Sequence, residues 1–229
     1  APEKKPDQIR KAMADVRLRK EAASDTTHTG RKAARFAPAG QSTQMIVGAD
    51  GSTDKDIILS SERLYSGYKM RRVYYSAFSP IPDASADLPP IAPPLMREHR
   101  LYQADWLFRF YGFKTDEILS PADNGMLDLE LDPKLAWALK HRDWFPADVN
   151  NAPRHILMRV PGLGAIGVQR ILKARRLTRL RLDDVAKLTQ SLKKILPFIV
   201  TVDWTPGALT DSANLRARFA PPPEQLSLI

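Results

Sequence analysis

The strongest constraint on how this chain folds is the run Asn150-Asn151-Ala152-Pro153, followed by Arg159-Val160-Pro161-Gly162-Leu163-Gly164 and an apolar stretch to Ile171-Leu172. It spells two short helices joined by a glycine hairpin. Asn150 or Asn151 is expected to cap the first helix, with Pro153 in its first turn, so that the helix reaches about Val160. Pro161 ends it. Gly162 and Gly164 are expected to take backbone angles closed to other residues, which reverses the chain and opens a second helix with its amides bare. N–H donors at the positive end of a helix dipole suit a phosphate oxygen and read no base. From Arg154 to Arg181 there are eight Lys or Arg and no Asp or Glu, an imbalance expected of a polyanion footprint. A hairpin used only for packing is the alternative.

The segment resembles the helix-hairpin-helix family, whose core is an apolar residue, Pro-Gly, an apolar residue, Gly, three variable positions and a small apolar residue, here Val168. The resemblance implies that Pro161, Gly162, Leu163 and Gly164 hold DNA. Many members carry a basic or hydroxylated residue among the variable positions, whereas this chain has Ala165, Ile166 and Gly167. Side-chain help is therefore expected later, from Arg170, Lys173, Arg175 and Arg176.

At 229 residues with 43% apolar residues the chain can bury a substantial core, as one large or two small domains. A formal net charge of +9 makes nucleic acid the economical partner. No apolar run approaches the roughly 18 to 20 residues that span a bilayer, and the opening residues have no signal-peptide core, so a cytoplasmic address is expected. The absence of cysteine excludes disulfides, thiolate zinc sites and a cysteine-ligated iron-sulfur cluster within this sequence. His28, His99, His141 and His155 have no partner at ligand spacing, and no metal site is expected.

Along the chain, residues 1–40 read as a basic helix, Asp7 to Ala23, and a loop. Residues 41–92 carry a strand from Ser42 to Gly48, a helix capped by Ser52 or Thr53, and a strand from Arg72 to Phe78, an alternation that implies parallel strands. Residues 93–146 read as helical. An aromatic helix spans Leu95 to Tyr111, and shorter ones are expected at Thr115 to Leu119, capped by Thr115, and at Pro133 to Lys140. Glu98, His99, Asp105 and Arg109 could be drawn as an acid-base set, but a buried helix edged by ion pairs is the favoured reading. Residues 147–204 hold the hairpin, then a helix from Leu182 to Leu188 and an apolar run from Leu192 to Val202. Residues 205–229 form a Pro-rich tail. The fold class expected is an α/β remnant followed by a mainly α helix-hairpin-helix domain.

The runs from Arg35 to Ala49, from Arg72 to Pro82 and from Arg97 to Trp106 resemble the putative DNA modification or repair radical SAM proteins, which join a radical SAM barrel to a helix-hairpin-helix tail. The resemblance covers roughly residues 28 to 204. It implies S-adenosylmethionine and a 4Fe-4S cluster held by three cysteines for the full-length family, and a late barrel strand beside the cofactor's adenine at Gln44, Met45, Ile46, Val47 and Gly48. Without a cysteine the chain departs from that pattern, and it is expected to be a C-terminal portion lacking the N-terminal barrel half and inactive alone. The family association also suggests a uracil-DNA-glycosylase-like protein as a partner. Gln225, Leu226, Leu228 and Ile229 resemble the peptide by which bacterial repair proteins dock on the sliding clamp, with Ile229 replacing a phenylalanine. The competing expectation is a non-enzymatic DNA-binding adaptor that tethers partners through the hairpin and this tail.

Overall fold

The structure, a computed structural model, describes residues 5–25, 36–82 and 88–220. The chain divides into two compact units, Ala1–Glu98 and His99–Ile229. It is a mixed α/β chain, helical over about half its length, with two small parallel sheets. Among the described residues no helix is long and apolar enough to cross a membrane.

In the first unit, the charged helix α1 (Pro6–Asp25) precedes β1 (Ser42–Val47), α2 (Asp54–Tyr68) and β2 (Arg72–Ala77). The alternation of strand and helix gives the parallel pair it predicts, in register from Ser42 opposite Arg72 to Val47 opposite Ala77. Thr53 starts α2 through a capping box, its hydroxyl accepting from the Asp56 N–H while the Asp56 carboxylate accepts from the Thr53 N–H. Successive strand residues face opposite sides. Val47, Val73 and Tyr75 are buried with Ile57 and Ile58 of α2, and the Tyr75 hydroxyl donates to Ser61 at 2.9 Å. Ile46 and Tyr74, on the other face, remain 48% and 43% exposed. Arg97 closes the unit through a 2.6 Å ion pair with the fully buried Asp54.

The helix α3 (Leu95–Trp106) starts in the first unit and its later residues belong to the second. It runs on as a π-helical turn over Leu107–Tyr111, closed by Gly112 with φ +73°. Asp105 and Arg109 pair at 3.1 Å, and the Glu98 carboxylate accepts from the Ala77 N–H, so the suggested acid-base set is divided among structural contacts. The short helix α4 (Thr115–Leu119) is capped from Lys114 rather than Thr115, because the Glu117 carboxylate accepts from the Lys114 N–H. The next helix, α5 (Pro133–Lys140), opens as expected on Asp132, which accepts from the Leu135 N–H. Trp137 centres the core of this unit, with Phe113, Trp144 and Phe145 meeting it edge-on and His141 stacked at 4.7 Å.

The hairpin region follows as β3 (Ala147–Asp148), α6 (Arg154–Leu157), α7 (Ala165–Ala174), α8 (Leu182–Leu188), α9 (Leu192–Ile195) and β4 (Ile199–Val200). The two-residue strands pair in parallel, a ladder too short to leave a pattern in the sequence. Two expectations about the first hairpin helix are corrected. Neither asparagine caps it. Pro153 stands at the cap position, while Asn150 exchanges hydrogen bonds with the Leu180 N–H and C=O, at 2.7 and 3.1 Å, and Asn151 donates to Asp148. The regular helix also ends at Leu157 rather than near Val160, and tighter turns carry the chain onward.

Candidate nucleic-acid interface

Leu157, Met158 and Val160 are buried, so the first arm of the hairpin is fastened by its apolar side before Pro161 turns the chain. Gly162 has φ +81°, and a side chain there would stand 3.0 Å from Ile195, 3.1 Å from Lys194 and 3.3 Å from the Ser191 carbonyl oxygen. Only glycine fits without strain. Gly164 differs from expectation: at φ −81° and ψ 164° it is ordinary extended backbone, and its role is to cap α7. Among the described residues, the N–H groups of Gly164, Ala165, Ile166 and Gly167 have no hydrogen-bond acceptor. Four bare donors at the positive end of a ten-residue helix have the chemistry to hold an anion.

The pose of this turn is held by a residue the sequence did not flag. Lys134, on α5 and only 7% exposed, donates from Nζ to the Leu163 carbonyl oxygen at 2.6 Å and stands 4.8 Å over the Tyr111 ring. In a planar trans peptide the C=O and N–H point in opposite directions. Holding the Leu163 oxygen therefore aims the Gly164 N–H away from Lys134. Burial pulls the Lys134 ammonium from 10.5 down to about 7, against the counter-pull of Asp132. The signal was helical spacing, since Lys134 shares a face of α5 with the buried Trp137 and Ala138.

The basic run separates into two sets. Arg159 is buried, its guanidinium on both Glu117 carboxylate oxygens at 2.6 and 2.8 Å and stacked 4.7 Å over Phe113. Arg175, expected on the binding surface, turns inward and donates to the carbonyls of Val149 and Ala152 at 3.2 and 2.7 Å. Arg181 pairs with Asp203 at 3.2 Å. By contrast, Arg154, Arg170, Lys173, Arg176 and Arg179 are exposed and, among the described residues, in no ion pair. At 100° per residue, Ile166, Arg170, Lys173 and Arg176 fall on one side of α7, and Val168, Ile171 and Arg175 on the other. Arg154 from α6 joins Lys173 and Arg176 along a groove of about 530 Å³ that reaches Ala165 at the start of the helix. The sequence counted Arg154 in the basic run without placing it at the site.

A second concavity, of about 450 Å³, borders the hairpin on the side of Gly162 and Gly164, with Tyr102, Trp106, Tyr111 and Lys134 in its walls.

The remaining candidates lie apart from the hairpin. Gln44 and Ile46 face the exposed side of β1, and Met45 and Val47 face the side covered by α2, so the five residues do not converge on one surface. Gly48, with φ +78°, is closed by Pro93, whose Cγ would lie 2.7 Å from any side chain there. The residues present do not fit the cofactor set that the resemblance implies, because the sequence holds no thiolate for a cluster. Among the described residues no three His, Asp or Glu gather as metal ligands. Gln225, Leu226, Leu228 and Ile229 lie outside the described residues. Compared with known proteins, the chain matches no family model, no curated protein and no solved structure.

Proposed function

We propose that this chain binds DNA by its phosphate backbone through the hairpin of α6 and α7, as the DNA-binding C-terminal portion of a radical SAM protein connected with DNA repair or modification. The observation that carries the binding is the coincidence of the bare amides from Gly164 to Gly167 with the unpaired Arg154, Arg170, Lys173 and Arg176 on one surface. Amides position a phosphate oxygen, and the cations supply salt-dependent attraction. Neither reads a base.

The link to a radical SAM parent rests on the sequence resemblance and on a parallel strand-helix-strand unit, a building block of α/β barrels. In this reading S-adenosylmethionine and its cluster require cysteines from outside this sequence, and these residues contribute the hold on DNA rather than the reaction.

The test uses gel-shift titration of the chain with plain duplex. Ala165→Pro deletes one amide donor at the first position of α7, where proline is tolerated and where Gly164 already has the extended backbone that precedes proline. The expected result is a loss of affinity of roughly tenfold or more, the effect of one hydrogen bond to a charged group. The double variant K173E/R176E should lose more at low salt than at high salt. Unchanged affinity in both variants overturns the proposal.

A further inference from the structure

The concavity of about 450 Å³ beside the hairpin is not explained by a phosphate grip. Its size falls in the range of small-molecule sites. Tyr102 and Trp106 are one helical turn apart on α3, and the π-helical turn that follows brings Leu107 and Tyr111 to the same cavity. Such turns are rare and occur often at functional sites. Trp106 stays 51% exposed, its ring 4.7 Å from the half-exposed Phe110. The core aromatics Phe113 and Trp137 are almost fully covered, so this wall is not an edge of the core.

The opposite wall is mostly apolar, with Asp132 and Lys134 as its charged residues. Gly162, Leu163 and Gly164 border it, and Lys134 lies against it with one N–H on the Leu163 oxygen and, among the described residues, no further oxygen acceptor. Gln103 stands at the rim with its Oε1 accepting from Arg100 at 2.9 Å, and its amide N–H donors have no acceptor among the described residues. Flat π-faces on one side and hydrogen-bond donors on the other match a planar ring with polar edges. Gly164 belongs to both surfaces, as the first bare amide of the phosphate site and as part of the cavity wall. The amides and the cavity thus adjoin at one residue of the turn.

We propose that this cavity receives one unpaired nucleobase of the strand held at the hairpin, so that the chain prefers DNA with an extrahelical or single-stranded base over perfect duplex. The inference rests on the phosphate-holding reading above and deepens it by naming the substrate class. Stacking on aromatic rings accepts any base, because every base presents a π-face. The preference is therefore for the unpaired state and not for base identity. A base already unpaired enters without the cost of opening a pair.

The probe is 2-aminopurine, placed as a single-base bulge in one duplex, in a fully paired duplex, and as the free mononucleotide. With the wild-type chain, bulged 2-aminopurine should lose emission on binding as it stacks in the cavity, and the bulged duplex should bind about tenfold tighter than the paired one. Trp106→Ala should restore the emission and remove the preference while leaving affinity for paired duplex within twofold. Trp106→Phe should retain both. If quenching and preference are absent although paired duplex binds and Ala165→Pro weakens it, the cavity proposal is wrong and the hairpin reading stands. Quenching of the free mononucleotide without any preference for the bulge overturns the proposal in favour of a mononucleotide site. No binding to any DNA overturns both readings.

Discussion

The Lys134 ammonium and the Leu163 carbonyl oxygen lie 2.6 Å apart, across 29 residues of sequence. This contact determines which way the hairpin's amides face. It also places a cation where burial lowers its pKa to about 7, so the folded chain binds fewer protons than the unfolded chain between about pH 7 and 10.5. Stability from this group consequently rises with pH across that window and is flat below it. Lys134→Met should remove the rise, which is at most about 1.4 kcal/mol per pH unit. Urea denaturation of both proteins at pH 7 and pH 9 gives the comparison, and equal slopes would show that the amine is not buried as described. Because the variant leaves the Leu163 oxygen unanchored, its affinity for duplex should also fall.

The two hairpin glycines should respond differently to the same change. Gly162→Ala places a side chain at φ +81° against Lys194, Ile195 and a backbone oxygen, and should cost about 1 to 2 kcal/mol. At Gly164 a side chain would approach the Tyr111 hydroxyl at 3.6 Å, an ordinary contact, so Gly164→Ala should stay within about 0.5 kcal/mol, the difference between glycine and alanine as caps. Thermal unfolding of both variants decides, and a larger loss at Gly164 would contradict the backbone described.

Arginines in the basic run should separate by assay. Lys173→Ala and Arg176→Ala should each leave stability unchanged and reduce the slope of log affinity against log salt by about 1. Arg159→Ala leaves the part-buried Glu117 carboxylate with the Lys114 N–H but no counter-charge and removes the cation over Phe113, and should destabilise by about 2 to 3 kcal/mol. A stable Arg159→Ala protein with a reduced salt slope would place that residue on the binding surface instead.

Asn150→Ala should loosen the hairpin without touching its binding face. It deletes two hydrogen bonds to Leu180 and leaves the N–H of a residue that is only 1% exposed without its partner, while the C=O keeps the Val202 N–H at 3.3 Å. The expected loss is about 2 kcal/mol. Amide exchange at Leu180 reads it directly, and unchanged protection would rule the tie out.

Where structure depended on neighbouring residues, the sequence was legible. The Thr53 capping box and the Asp132-Pro133 opening placed α2 and α5, and alternating strand and helix patterns foretold the parallel pair of β1 and β2. Legibility failed where a side chain chose a distant partner. Asn150 has good capping chemistry, but Leu180 lies thirty residues on and takes both ends of its amide. Arg159 and Arg175 look like members of a basic face until Glu117, Val149 and Ala152 are brought beside them. At the candidate site the glycine turn and the cations of α7 could be named from local pattern. Helical spacing signalled that Lys134 is buried but not what it holds, and the aromatic cavity left no local pattern, because α3, α5 and the hairpin meet only in the folded chain.

Several of the hairpin's supports come from outside it: Lys134 beneath its carbonyl, Glu117 on Arg159, and Ser191, Lys194 and Ile195 around Gly162. The motif is thus not a portable cassette. A peptide covering only α6 and α7, or a graft of them onto another scaffold, would keep the bare amides and the exposed cations and still lose the contacts that set their pose.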